Sequence, residues 1–355
     1  MRHGMSSSRE RLLALRMSVR TLQGALRLYP HNRSYRAWRQ LVFFVYRKVR
    51  GRPVPTTAFV VITYRCQLRC PHCYAAVEVR GSRDEMSTEE LKSVLEQLRA
   101  LGTLQVVFTG GEPLLRKDIF ELVTHAHHLG LITRLNSNGG LLTDECVAEL
   151  RRAGLNKCGV SIDNADPDIH DRLRGRPGTF EKAIQALGYL RQYNIERQIL
   201  TYSSHDKLSS ELERIINLGE NLKVSSVFFT IPYVSGRWND SYDEAFSDGE
   251  MARLRELLRH PLVTMEFPRA GTKCDAYAYS IIHINPQGGV TTCPAVPYLL
   301  GNIRHASLAN IWRRLTSARK FEFKGRCPMN NERNRELLKV HAAAIAQSKR
   351  PENES

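Results

Sequence analysis

The chain has 355 residues, enough for one large domain and a smaller one, and 42% of them are apolar, as is typical of a soluble globular protein. Eight unevenly spaced cysteines exclude a secreted disulfide scaffold and favour a reducing compartment in which thiols bind metals. The net charge is +16, but residues 1–53 alone carry +12, so nucleic-acid binding does not follow from the charge of the whole chain.

Two amphipathic segments are predicted in this basic N-terminal region. Apolar residues recur at helical spacing in residues 11–28 and 34–49, and Gly-Arg-Pro at 51–53 ends the second segment. They form either a helical lid packed on the rest of the protein or a surface for an acidic membrane, an acidic partner or a polyanionic substrate. The longest apolar run here, Leu41 to Tyr46, is too short to span a membrane. We therefore expect a cytoplasmic protein, with membrane association through this segment as the alternative.

Three cysteines occupy one short loop after the first predicted strand. The β-branched and aromatic run from Ala58 to Tyr64 predicts a buried strand, and Cys66, Cys70 and Cys73 follow it with the spacing Cys-x3-Cys-x2-Cys. An odd number of clustered thiolates suits neither a disulfide framework nor a four-ligand zinc site, and His72 cannot easily complete one because it adjoins Cys73. Thiolates at such short spacings hold iron–sulfur clusters. Three of them on a four-iron cluster leave one iron free for an outside ligand.

This strand and loop resemble the radical S-adenosylmethionine (SAM) superfamily, whose hallmark is Cys-x3-Cys-x-aromatic-Cys after the first barrel strand. His72 stands in the aromatic position and is expected to contact the cofactor. The resemblance implies a [4Fe–4S] cluster held by Cys66, Cys70 and Cys73 and completed by SAM. It also implies reductive cleavage of SAM to a 5′-deoxyadenosyl radical that abstracts hydrogen from a substrate, and an electron donor such as flavodoxin or ferredoxin.

From residue 58 onward, predicted strands and helices alternate. The pattern indicates a parallel sheet wrapped by helices, with chemistry in the loops at the carboxyl ends of the strands. Six such units fit the partial (β/α)6 barrel, similar to a TIM barrel, of the radical SAM family. The predicted strands are 58–64, 104–109, 131–136, 156–162, 195–201 and 224–230, and the predicted helices are 87–101, 118–129, 143–152, 179–192 and 208–219.

The second strand ends in Thr-Gly-Gly-Glu-Pro at residues 109–113. Gly110 and Gly111 allow the backbone to come close to a ligand, because a Cβ atom would block that approach. The carboxylate of Glu112 can accept hydrogen bonds from an ammonium group. The sequence resembles the Gly-Gly-Glu-Pro motif of the family, which implies that these three residues bind the amino group of the SAM methionine.

Polar residues also end the third and fourth strands. Residues 136–140 read Asn-Ser-Asn-Gly-Gly, and Ser161 and Asp163 precede a His-Asp-Arg-x-Arg-Gly loop at 170–175. Both segments resemble family signatures, which implies that Asn138, Ser161 and Asp163 hydrogen-bond the ribose and carboxylate of SAM. Ordinary turn and capping chemistry is the alternative for the Asn-Gly-Gly and Asp-x-Arg segments.

The remaining cysteine cluster lies near the C-terminus. Cys274 precedes a strand-like run that ends at Cys293, and Cys327 follows. These segments resemble the SPASM/twitch extension, in which a β-hairpin holds an auxiliary iron–sulfur cluster. A full SPASM domain supplies more cysteines, so one auxiliary cluster at most is predicted, with three cysteine ligands and an unknown fourth. A hairpin without a cluster is the alternative.

The predicted α/β protein therefore has four segments. They are a basic helical N-terminal extension (1–55), a radical SAM core barrel (56–235), a twitch-like auxiliary domain with a small β-hairpin and helix (236–330), and a polar C-terminal helix or tail (331–355).

The sequence indicates the class of substrate less clearly than it indicates the cofactors. The residues before the barrel are too few for a typical peptide-recognition domain, which favours a small metabolite or cofactor precursor over the alternative, a ribosomal peptide or protein. A basic zinc-binding nucleic-acid module would explain the cysteines and the charge, but neither the Gly-Gly-Glu-Pro motif nor the alternating pattern, so no nucleic-acid partner is expected. A non-catalytic iron–sulfur scaffold would leave the SAM-type loops without a purpose.

Overall fold

The computed structural model describes residues 35–49, 54–73, 84–208, 210–230, 246–265, 280–293 and 299–317. Its strands are β1 (Thr57–Thr63), β2 (Gln105–Gly110), β3 (Ile132–Ser137), β4 (Lys157–Ser161), β5 (Glu196–Tyr202), β6 (Ser226–Thr230), β7 (Val263–Met265), β8 (Ile281–Ile284), β9 (Gly289–Thr291) and β10 (Gly301–Asn302). Its α-helices are α1 (Tyr35–Val49), α2 (Thr88–Leu101), α3 (Ile119–His128), α4 (Asp144–Arg152), α5 (Pro167–Arg174), α6 (Thr179–Gln192), α7 (Glu211–Asn221), α8 (Asp248–Leu257) and α9 (Leu308–Ser317). Short 3-10 helices span Pro113–Leu115 and His205–Lys207.

The ten strands of the described residues belong to one sheet, in the order β10-β9-β8-β1-β2-β3-β4-β5-β6-β7. Neighbouring strands from β1 to β7 are parallel, and β8 pairs with the other side of β1, also in parallel, with Val60 opposite Ile284. The hairpin of β8 and β9 is antiparallel. The predicted parallel α/β sheet is confirmed, and the predicted hairpin extends that sheet.

The two faces of β1 show how the sequence builds the barrel. Ala58, Val60 and Ile62 are buried in the main core, together with the apolar faces of the surrounding helices, whereas Val61 belongs to a separate small cluster on the other face. Strand side chains alternate between faces, so one strand supplies both the helix-covered core and the barrel interior. Because the middle of β1 is packed on both faces, the strand ends are the parts that remain at the opening of the barrel.

The prediction that residues 170–175 form a loop is wrong, because these residues lie in and just after helix α5. Asp166 caps the helix by accepting hydrogen bonds from the N–H groups of Asp168 and Ile169, and Pro167 occupies its first turn. Gly175 ends the helix in the left-handed conformation, with φ of 68°. The five helices predicted after residue 58 are present, with ends displaced by up to three residues.

Helix α1 corresponds to the predicted segment 34–49, whereas the predicted helix at 11–28 lies outside the described residues. Leu41 and Phe44 pack with Val54 and Leu104. The Gln40 side-chain amide donates to the carbonyls of Arg99 (2.9 Å) and Thr103 (2.8 Å). These contacts precede β2, so α1 packs on the barrel at the amino ends of the strands. Within the described residues, none of the helices combines the length and apolar character that crossing a bilayer requires.

Candidate functional site

The carboxyl ends of β2 to β6 and the loop after β1 enclose one cavity of about 250 Å³. All three cysteines of that loop line it, and none of them forms a disulfide. The residues lining the cavity are Cys66, Leu68, Cys70, His72, Cys73, Thr109, Gly110, Gly111, Asn136, Ser137, Asn138, Ser161, Asp163, Arg174, Leu200, Thr201, Tyr202 and Thr230.

The cysteine thiols suit a group wider than one ion. Among the described residues, no three His, Cys, Asp or Glu side chains are grouped closely enough to bind a single metal ion. Three thiols that stand around a shared cavity instead fit the thiolate ligands of an iron–sulfur cluster. Burial raises the pKa of Cys66 to about 11 and also raises the pKa of Cys70. Metal binding would therefore displace protons from these thiols.

Gly110 and Gly111 line the cavity, but the structure gives a different reason for their lack of side chains. A Cβ atom on Gly110 would lie 2.1 Å from the carbonyl oxygen of Thr63, and one on Gly111 would lie 2.4 Å from that of Arg65. The backbone N–H groups of Gly111 and Glu112 donate to these same oxygens, at 2.9 and 2.8 Å. The glycines therefore allow the end of β2 to pack directly against the start of the cysteine loop.

Glu112 lies beneath the cavity instead of lining it. Its side chain is fully buried, and its carboxylate accepts hydrogen bonds from Ser137 Oγ (3.0 Å) and from the backbone N–H groups of Asn138 (2.8 Å) and Leu114 (3.2 Å). Burial raises its pKa to about 7, although these hydrogen bonds oppose the shift. The carboxylate joins the ends of β2 and β3, and its contact with a ligand ammonium stays a prediction.

Asn138 faces the cavity beside the first cysteine. Its side-chain nitrogen is 3.8 Å from Cys66 Sγ, and its Oδ1 accepts from Gln67 Nε2 at 3.1 Å. Ser161 ends β4 and also lines the cavity. The structure thus brings Asn138 and Ser161, both predicted to contact SAM, to the same cavity as the cysteines.

Asp163 is engaged by groups of its own chain. Its Oδ2 lies 2.7 Å from a guanidinium nitrogen of Arg174 and 3.0 Å from His72 Nε2. Burial alone would raise the pKa of Asp163, but Arg174 and His72 outweigh burial and hold it well below its usual range. His170, buried on α5, accepts a hydrogen bond from the backbone N–H of Asp163 at 3.1 Å. The predicted histidine of the cysteine loop therefore pairs with the predicted aspartate.

The end of β5 and the short 3-10 helix after it contribute residues that the sequence analysis missed. Tyr202 lines the cavity, and its ring lies 4.4 Å from that of His72, centre to centre. Lys207 Nζ lies 3.2 Å from the centre of the Tyr202 ring, and burial lowers the pKa of Lys207 to about 8. The position of Tyr202 at a strand end was the only available signal, since no motif marks it.

The predicted auxiliary site is described only in part. Cys293 follows β9, and its carbonyl oxygen accepts from Thr291 Oγ1 at 3.2 Å. Cys274 and Cys327 lie outside the described residues. The three-cysteine ligand set of an auxiliary cluster therefore stays a prediction.

Comparison with known proteins gives two family matches and several relatives. Residues 60–218 match the Radical SAM superfamily and residues 274–337 match SPASM, an iron–sulfur cluster-binding domain. An AdoMet-dependent heme synthase of Nitratidesulfovibrio vulgaris is 28% identical over 304 residues, which cover 75% of this chain and 82% of that protein. A PqqA peptide cyclase of Rhodopseudomonas palustris is 30% identical over 279 residues, covering 73% and 74%.

The fold also matches solved structures. Streptococcus suis SuiB bound to its precursor peptide SuiA superposes with a TM-score of 0.64 at 15% identity, covering 80% of this chain and 71% of that chain. At this identity the likeness concerns the fold alone, and it agrees with the partial barrel described above.

Proposed function

The chain belongs to the radical SAM superfamily, and we propose that it abstracts hydrogen from a small metabolite or cofactor precursor. When bound, the [4Fe–4S] cluster supplies the electron that cleaves SAM, and SAM supplies the 5′-deoxyadenosyl radical. The observation that carries the proposal is a cavity in which three thiols that form no disulfide meet the polar ends of the parallel strands.

Within this proposal, each residue has a role that its position supports. Cys66, Cys70 and Cys73 hold the cluster as thiolates. Asn138 and Ser161 face the cavity with groups that can hydrogen-bond SAM.

Other residues of the site support this arrangement indirectly. Glu112 fixes the turn that carries Asn138, and Gly110 and Gly111 fix the distance between the end of β2 and the cysteine loop. Asp163 holds His72 of the cysteine loop. Under the proposal these residues set the shape of the SAM site, and a flavodoxin or ferredoxin supplies the electrons.

The resemblance to the heme synthase supports a cofactor precursor as substrate, because this chain covers most of that protein's length. Carboxylate-bearing tetrapyrroles are therefore the first compounds to test. The resemblance to the peptide cyclase supports a second candidate, the maturation of a ribosomal peptide, over a similar share of the chain.

Anaerobic assays test the proposal in two stages. Protein reconstituted with iron and sulfide is given SAM and dithionite, and we expect 5′-deoxyadenosine by chromatography. Deuterated tetrapyrrole and peptide substrates are then supplied separately, and the true class transfers deuterium into 5′-deoxyadenosine. Absence of 5′-deoxyadenosine from fully reconstituted protein would contradict the proposed chemistry, whereas transfer only from peptides would replace the first substrate class with the second.

A further inference from the structure

Arg174 lies at the point where helix α5 meets the cysteine loop. The two segments approach so closely that a Cβ atom on Gly175 would lie 3.1 Å from the carbonyl oxygen of Arg69. A guanidinium nitrogen of Arg174 lies 3.9 Å from Cys70 Sγ and is placed to donate to it. Among the described residues that line the cavity, Arg174 is the one arginine or lysine.

Asp163 fixes this guanidinium. The ion pair between them is 2.7 Å long, and the side chains of Arg174 and Asp163 are 11% and 3% exposed. The same Asp163 oxygen lies 3.0 Å from His72 Nε2, within the cysteine loop. The arginine is therefore held beside Cys70 by a buried carboxylate that is itself tied to that loop.

Charges at this distance act on a bound cluster. Reduction adds one negative charge to the cluster, so a nearby cation and N–H···S hydrogen bonds favour the reduced form and raise the potential. A nearby carboxylate has the opposite effect. The C-terminal end of α5 adds a partial negative charge at the same place, which the guanidinium offsets.

We infer that Arg174 raises the reduction potential of the cluster held by the cysteine loop, and that Asp163 is a positioning residue that fixes Arg174 and whose own charge lowers that potential. The inference rests on the proposed function, because it requires a cluster on Cys66, Cys70 and Cys73. Together, the two side chains set how readily the cluster accepts an electron.

The two charges predict shifts of opposite sign. Arg174→Met removes the cation and its hydrogen bond, so the midpoint potential should become more negative. At an applied potential equal to the wild-type midpoint, we expect the ratio of reduced to oxidised cluster to fall about tenfold, which corresponds to about 59 mV for one electron. Asp163→Asn removes the negative charge, while the Asn amide oxygen can still accept from Arg174 and keep it in place, so the midpoint should move in the positive direction. The double variant should lie between the two single variants.

The test is a redox titration followed by electron paramagnetic resonance, on the full chain without SAM. Signals that remain when Cys66, Cys70 and Cys73 are all replaced by Ala are assigned to other clusters and serve as an internal reference. Arg172→Met is the matched control, because it removes an exposed arginine from the same turn of α5. Its midpoint should equal that of the wild type.

Each outcome decides the inference. Opposite shifts in the two single variants support it, since general damage to the loop would not reverse sign. An unchanged midpoint in Arg174→Met, with only SAM affinity altered, would overturn it, as would an equal shift in Arg172→Met. If Arg174→Met assembles no cluster, Asp163→Asn decides alone by the presence or absence of a positive shift. If the wild type itself assembles no cluster on this loop, the proposed function fails instead.

Discussion

The amino and carboxyl ends of the barrel bury different kinds of groups. At the amino end, α1 is held by the apolar side chains of Leu41 and Phe44, and Gln40 adds its amide hydrogen bonds. At the carboxyl end, the carboxylates of Glu112 and Asp163 are buried, each surrounded by donors from the chain itself. The groups that hold α1 at the amino end are thus apolar or neutral, and no buried charge is needed to keep the helix in place.

Buried carboxylates are unfavourable unless hydrogen bonds or opposite charges compensate them. Their concentration around the cavity therefore indicates a part of the molecule built for a ligand and not for stability. The comparison predicts that changes at the carboxyl end act on cofactor binding and chemistry, whereas changes at the amino end act on the free energy of unfolding alone.

Replacing Cys66, Cys70 and Cys73 together by Ala should have the largest effect. Without these thiolates the [4Fe–4S] cluster of the cysteine loop has no protein ligands, so 5′-deoxyadenosine formation should disappear. The iron content should fall by about four atoms per chain, as one cubane requires. Iron analysis and the anaerobic SAM cleavage assay measure both quantities.

Cys146→Ala is the matched control for this variant. Cys146 is a half-buried thiol packed against the main core, and it does not line the cavity. It should keep both iron and SAM cleavage. Undiminished SAM cleavage in the triple variant would remove the cysteine loop from the site.

Phe44→Ala tests the amino end. Phe44 is fully buried, so the substitution should lower the free energy of unfolding by about 3–5 kcal/mol in urea titrations. SAM cleavage per folded molecule should not change. Phe43→Ala, at a position 36% exposed, should cost much less. A loss of SAM cleavage that exceeds the loss of folded protein in Phe44→Ala would show that the two ends are coupled.

The sequence predicted the strands well because their apolar runs are local. Strands β3 and β5, for example, lie within one residue of their predicted positions. The pairing of β8 with β1 was not predicted, since it joins segments more than two hundred residues apart. Helix α5 was mistaken for a loop because it is short and polar. Its capping residues, Asp166 and Gly175, indicate a helix more clearly than its weak apolar pattern does.

The candidate site shows a similar division. The cysteines, Asn138 and Ser161 are local features of strand ends, and the structure places them together at the cavity. The tertiary contacts of Glu112, Asp163 and Lys207 could not be predicted, because a sequence does not show which groups surround a buried charge. The motif around Glu112, for example, does not show that its carboxylate packs against the turn after β3, and its contact with a ligand stays a prediction.

Glu112→Gln should remove one contribution to the pH dependence of the free energy of unfolding, a contribution that arises at the carboxyl end of the barrel. The folded protein raises the pKa of Glu112 from 4.5 to about 7, so the folded state binds more protons than the unfolded state between these values. The resulting stabilisation is full below pH 4.5 and is lost as the pH rises through 7, and it amounts to at most about 3 kcal/mol.

The measurement is the difference in unfolding free energy between Glu112→Gln and the wild type, from urea titrations of the metal-free proteins at several pH values. Gln cannot ionise, so the variant should gain on the wild type as the pH rises from 4.5 to above 7. The difference isolates this residue, because the other titrating groups are common to both proteins. Parallel curves for the two proteins would contradict the burial of an ionisable Glu112.

Gln40→Leu should have the smallest effect, since it removes hydrogen bonds from an otherwise apolar contact. The Arg99 carbonyl keeps its bond from the N–H of Gly102 at 3.0 Å, so the main loss is the 2.8 Å bond to the Thr103 carbonyl. The free energy of unfolding should fall by about 1–2 kcal/mol. Gln40→Glu should destabilise more, because a buried carboxylate would face two carbonyl oxygens. If both variants equal the wild type in urea titrations, the Gln40 contacts contribute nothing, and the amino end is held by apolar packing alone.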